Sequence, residues 1–164
     1  MKNNLLKIFV VLLIVSFFAN GCSNPKNSAL IKYYNQMNEL DKKFTVTKND
    51  FGDKMKALNE NSKLTDIIQV MQNYADQFGQ IKKDAESIDT PEKVKSLQND
   101  FIKSVDLYIS VIEDVINGLK TNTTPNESTN TKRIESENLQ KSFRDQTEKI
   151  MKENGINTSS GTAK

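Results

Sequence analysis

From residue 64 to residue 88 the apolar side chains Leu64, Ile67, Met71, Tyr74, Phe78, Ile81, Ala85 and Ile88 recur at alternating steps of three and four. At 3.6 residues per turn this spacing lines a single face of a helix, whereas the two-residue repeat of a strand would scatter it over both faces. Asp66, Asn73, Gln77, Gln80 and Lys83 fall on the opposite side. Residues 62–89 therefore read as an amphipathic helix whose apolar stripe has to be buried against other elements. Nothing else in the chain restricts its fold as strongly.

The same rule extends to both sides of this segment. In residues 28–60, Leu30, Met37, Phe44, Phe51 and Leu58 recur every seven residues, with Tyr33 and Leu40 between them. This is the period of a helix buried along one seam. Thr47 and Lys54 break the second row, and β-branched Thr45, Val46 and Thr47 lie close to Gly52, which predicts a bend or a stop near 45–52. Thr90-Pro91-Glu92 predicts a new helix, with Thr90 as cap, Pro91 in the first turn and Glu92 at the positive end of the dipole. That helix, 91–120, has the widest apolar arc and is expected to be the most buried. It carries Val94, Leu97, Phe101, Val105, Tyr108, Ile112, Val115 and Leu119, with Ile102, Ile109, Val111 and Ile116 beside them.

Residues 121–131 read as a polar linker, and the glycosylation-like triplets at Asn122 and Asn126 as chance matches. The next stretch, 132–155, has only the sparse row Ile134, Leu139, Phe143, Ile150 and Met151 before an Asn154-Gly155 stop, so it is expected to dock loosely. Residues 156–164 read as a disordered tail. The expected fold is all-α: an antiparallel helical bundle of three long helices over 28–120 plus a weaker, peripheral fourth helix at the C-terminus.

The amino-terminal stretch has a different character. Lys2 and Lys7 precede a twelve-residue run, Ile8 to Ala19, interrupted only by Ser16 and closed by Asn20, Gly21 and Cys22. This is the layout of a secretory signal peptide over 1–21, and the run is shorter than the roughly 20 residues a membrane span needs. Cys22 is the sole cysteine, so no intramolecular disulfide exists to occupy it. Ala19-Asn20-Gly21-Cys22 resembles the lipobox of bacterial lipoproteins. The resemblance covers residues 1–22 and implies cleavage after Gly21, diacylglyceryl on the Cys22 thiol and further acylation, such as palmitate, at the new amino terminus. Residues 22–27 would then form a lipidated tether, and two or more acyl chains anchor stably where one does not. The same residues also satisfy the small-x-small rule of ordinary signal cleavage, which would leave Cys22 unmodified; a lone cysteine at this position favours lipidation.

Charge and composition narrow the function further. The formal charge of +2 resides in Lys2 and Lys7, since removing those two from 23 basic residues leaves 21 against 21 acidic ones. With arginine only at 133 and 144, the chain has no nucleic-acid footprint. It has no histidine, and with Cys22 occupied the usual zinc sets and nucleophile triads cannot be assembled. Its six glycines are scattered singly, so no phosphate cradle forms. Glu113-Asp114 and the Asp50/Asp53 pair around Gly52 are the remaining acidic candidates. Adjacent helical residues diverge by about 100° and the alternating ligands of a calcium loop are missing, so solvated faces explain both. No catalytic, cofactor or metal residue is expected, and the chain does not read as an enzyme.

The aromatic set Tyr33, Phe44, Phe51, Tyr74, Phe78, Phe101, Tyr108 and Phe143, with Met37 and Met71, fits a packed core better than a ligand cavity. Tyr34 and Met55 read as peripheral core contacts. The expected role is a non-enzymatic, membrane-anchored interaction module of the cell envelope, partnered with another envelope protein and located on the extracytoplasmic face. A carrier or sensor of a small hydrophobic ligand and a self-assembling spacer are the alternatives.

Overall fold

A computed structural model describes residues 25–58, 62–124 and 126–156. Its elements are α1 (Pro25–Ala57), α2 (Leu64–Glu86), a single 3-10 turn (Glu92–Val94), α3 (Lys95–Thr121) and α4 (Glu127–Glu153). No strand occurs among the described residues. Cross-helix pairs run in opposite directions along each seam: Lys43–Asp84 and Asp50–Tyr74 join α1 to α2, and Lys82–Asp106 and Phe78–Tyr108 join α2 to α3. Thr129–Asp114 and Ser136–Ser104 join α3 to α4, and Arg144–Asp41 and Lys48–Glu137 join α4 to α1. The result is a closed up-down-up-down antiparallel bundle.

The first helix does not stop at 45–52 but runs unbroken through that stretch to Ala57. The Thr45 hydroxyl is absorbed by donating to the Asp41 carbonyl one turn back, at 2.9 Å. Phe44 and Phe51 pack against other helices on either side of the break-prone residues, so tertiary contact outweighs the cost of about 1 kcal/mol for a mid-helix glycine at 52. The helix also starts earlier than expected, at Pro25, a residue suited to a first turn.

Between α2 and α3 the expected Thr90 cap is replaced by another device. The Thr90 hydroxyl bonds to the Ile88 carbonyl, Pro91 occupies the N-cap of the 3-10 turn, and the Val94 amide bonds to the Pro91 carbonyl at 2.9 Å. Buried Gln98 reaches back to the carbonyls of Ala85 (2.6 Å) and Ile88 (3.3 Å), satisfying acceptors that the end of α2 leaves open. The third helix holds the largest set of buried residues, as its wide apolar arc requires.

The largest departure concerns α4. It begins inside the expected linker, where the Asn126 carboxamide accepts from the Thr129 amide as an N-cap. Far from peripheral, it forms the most extensive helix–helix interface of the bundle, with α3. Its buried seam is Thr129, Ser136, Gln140, Phe143, Thr147 and Met151, four of them polar, while Ile134 of the expected apolar row points into solvent. Ser136 donates to the Ser104 carbonyl at 2.7 Å and Ser104 to the Phe101 carbonyl at 2.8 Å, so two small residues bring the backbones of α3 and α4 close without stranding a hydroxyl.

Both long C-terminal helices end in left-handed caps. Asn154 and Gly155 stop α4 as expected: Gly155 has φ 71°, its amide bonds to Lys152, and the Ile156 amide bonds to Met151. Ile156, expected in a disordered tail, is buried with Met151, the hydrophobic contact this cap favours. At the end of α3, Asn122 takes the left-handed position (φ 54°) and Thr123 bonds back to the Gly118 carbonyl at 2.9 Å. A Cβ at Gly118 would lie 2.7 Å from the Thr123 carbonyl oxygen, so this turn admits only glycine.

Gly118→Ala is therefore expected to cost about 1–3 kcal/mol, and Asn122→Gly to add up to about 1 kcal/mol by relieving the left-handed penalty. Urea denaturation of the two variants should move the midpoint in opposite directions; an unchanged Gly118→Ala midpoint would show that the turn does not need the close approach.

Candidate functional site

Gly21 and Cys22, the cleavage and lipidation residues, lie outside the described residues, as does the rest of the signal segment. The first described helix, α1, starts at Pro25, and in the sequence only Ser23 and Asn24 separate it from Cys22.

The aromatic residues gather at the bundle centre. Phe44 meets Phe78, Tyr108 and Phe101 edge-on at centroid distances of 5.3, 5.6 and 6.3 Å, and Phe101 meets Phe143 at 5.1 Å. These rings contact one another. Phe51 packs on Tyr74, whose hydroxyl donates to Asp50. Tyr34 is buried, and Met55 is half-buried against the core.

The acidic candidates resolve into structural pairs. Asp114 accepts from Lys132 at 2.7 Å and from Thr129 at 3.0 Å, tying α3 to the first turns of α4, whereas Glu113 is exposed. Asp50 accepts from Tyr74, and Asp53 pairs with Lys56 one turn away. No group of three or more metal-ligating side chains occurs among the described residues.

Charged side chains bridge all four seams. The best built is between α1 and α4, where Arg144 takes both oxygens of Asp41 (Nε to Oδ2 2.7 Å, Nη2 to Oδ1 3.0 Å) and the Thr45 hydroxyl at 2.7 Å, while Gln140 adds a contact at 3.3 Å. The planar guanidinium suits this bidentate arrangement, which lysine cannot reproduce. Lys48 crosses the same seam to Glu137 at 3.4 Å and lies 5.3 Å from the Tyr108 ring centre.

Concavities among the described residues include two on the surface. One of about 380 Å³ lies between α2 and α3 in the half of the bundle remote from the start of α1, lined by Gln72, Ala75, Asp76, Glu113, Ile116, Asn117 and Lys120. The other, about 160 Å³, sits at the α3–α4 turn and is lined largely by hydroxyl and amide groups, including Thr121, Thr123, Thr124 and Asn126. The larger brings together residues far apart in sequence, and sequence reading singled out only Glu113 among its polar members as a candidate.

Asp41→Ala would strand the guanidinium and Gln140 and is expected to cost about 1–3 kcal/mol; Arg144→Lys should lose part of that. A melting temperature unaltered by both would remove this pair from the stabilising contacts.

The pH response follows from the pairs. Hydrogen bonds from Gln80 and Lys43 hold the Asp84 carboxyl below its ordinary range, and those from Lys132 and Thr129 do the same for Asp114. A depressed carboxyl adds stability above its unfolded value of about 3.9 and loses it as pH falls through the folded value. Lys82 and Lys103 are raised by Asp106 and Glu135, and burial pushes Tyr108 up to about 12. Their contributions are complete below the unfolded values near 10 and are lost as pH rises through the folded ones. With no histidine in the chain, melting temperature should be flat from about pH 5 to 9 and fall on either side; a step inside that window would contradict this account.

Comparison with known protein families, with curated proteins and with solved structures finds no match to this chain, so its function has to be argued from its own residues.

Proposed function

We propose that the chain is a membrane-anchored extracytoplasmic lipoprotein whose helical domain is a non-enzymatic protein–protein interaction module of the cell envelope. The observation that carries this reading is the position of Cys22. The sole cysteine closes the apolar run after Asn20 and Gly21, and it stands three residues before Pro25, where the first described helix begins. Three residues span at most about 11 Å. A lipid on Cys22 therefore holds the start of α1, the 87–91 connection and the α4 cap near the lipid headgroups. The 33 residues of α1 put the opposite end of the bundle about 50 Å from that tethered start.

The rest of the domain supports binding over chemistry. Asp50, Asp53 and Asp114 are engaged in side-chain pairs, and the central aromatic rings pack on one another. Tethering to a shared membrane raises the effective concentration of the module and its partner, so even a small contact surface can suffice.

The test is Cys22→Ala in the producing cell, read by intact mass and membrane fractionation. The wild-type chain should begin at Cys22, carry diacylglyceryl mass and pellet with membranes, while the variant accumulates as an unlipidated precursor. A variant that matures and fractionates as before overturns the reading.

A further inference from the structure

The seams of the bundle are not equally tight. Backbones approach closely between α1 and α2, between α2 and α3 and above all between α3 and α4, whereas the Cα traces of α1 and α4 scarcely come within 8 Å of each other. Long side chains span that gap instead. Arg144 reaches Asp41 at 2.7 and 3.0 Å and Thr45 at 2.7 Å, Gln140 reaches Asp41 at 3.3 Å, and Lys48 reaches Glu137 at 3.4 Å. On its other side α1 is held by rings: Phe44 packs on Phe78 of α2 with centroids 5.3 Å apart, and Phe51 on Tyr74 at 5.1 Å.

The same two helices carry stranded polar atoms. Among the described residues, the buried side-chain oxygens without a hydrogen-bond partner are the Tyr33 hydroxyl of α1 and the Thr147 hydroxyl of α4, on residues only 1% and 6% exposed. Thr147 follows Gln140 by seven residues and Arg144 by three, so it shares their face of α4. Tyr33 precedes Asp41 on α1 by about two turns. A buried hydroxyl without a partner forgoes the bond that water would give it, a cost borne while the seam is shut and removed when it is wetted. The α3–α4 seam carries no such opposition at its centre, because the Ser136 and Ser104 hydroxyls both find carbonyls there.

We infer that α1 is a hinged strap over the other three helices, swinging away from α4 about its contact with α2, with the Arg144–Asp41 bridge as the latch that holds it shut. This device does not depend on what Cys22 carries. The open form is a minor state that keeps Phe44 on Phe78, parts it from Phe101 and Tyr108, and wets Tyr33 and Thr147. Met37 and Phe44, both fully buried in the shut bundle, are uncovered on α1, so the apolar interior is reached through this seam.

The experiment is thiol labelling of the full-length folded protein by a small alkylating reagent, read by peptide mass at the substituted position so that Cys22 does not interfere. Thr147→Cys places a thiol in the α1–α4 seam, and Ser104→Cys places one in the α3–α4 seam; Val105→Cys, also fully buried, replaces the latter if that variant does not fold. The thiol at 147 should react at least about tenfold faster than the one on α3, because reaction follows the population of the open form. Adding Asp41→Ala should speed labelling at 147 about tenfold more and leave the α3 position unchanged, whereas Tyr33→Phe should slow labelling at 147 several-fold by removing a stranded hydroxyl from the shut state. Equal rates at the two positions, including none at either, or an Asp41→Ala effect of the same size at both, would mean that α1 leaves only when the whole domain unfolds, and the strap is overturned. Labelling at 147 that Tyr33→Phe leaves unchanged or accelerates overturns it as well.

Discussion

The bundle depends on a set of rings that meet from all four helices at its centre. Phe44 comes from α1, Phe78 from α2, Phe101 and Tyr108 from α3, and Phe143 from α4. Edge-to-face packing places the positive rim of one ring on the negative face of the next and contributes about 0.5–1.5 kcal/mol per pair beyond area burial. More important is its geometric demand. Each ring satisfies its neighbours only at one rotation and height of its helix, so the cluster sets the register of all four helices together. The whole domain is stabilised by a net of about 5–15 kcal/mol, and truncating one fully buried ring costs about 3–5, so the domain cannot lose this centre and keep its fold.

Around that centre the surface charges take a secondary role. Exposed pairs such as Lys43–Asp84 contribute roughly 0–1 kcal/mol each and mainly disfavour wrong registers. The Arg144–Asp41 pair is different because the aspartate is largely shielded and every oxygen is used.

The helix α4 shows why a sound local rule can mislead. Its polar run suggested loose docking, yet Thr129, Ser136, Gln140 and Thr147 are buried. A hydroxyl or carboxamide is readily buried when a partner satisfies it, and for Ser136 and Gln140 the partners lie 32 and 99 residues away, at Ser104 and Asp41; the Thr147 hydroxyl is buried without one. No window along the chain contains that information. The break expected at 45–52 failed for a related reason: propensity differences of a few tenths to 1 kcal/mol per residue yield to packing of Phe44 and Phe51 on other helices.

What the sequence determined by itself was everything carried by nearest neighbours along a helix or by the chemistry of one residue. The stripe from Met71 to Ala85 is buried as its period requires, the wide arc of 91–120 became the most buried helix, and Gly155 ends α4 with positive φ. The reading of Cys22 likewise rests on sequence alone. Tertiary structure alone decided that α4 is integral, that Ser136 closes on Ser104 and that Arg144 closes on Asp41. Those relations join residues 32 to 103 positions apart, and only the packing of rings at the bundle centre brings them into register.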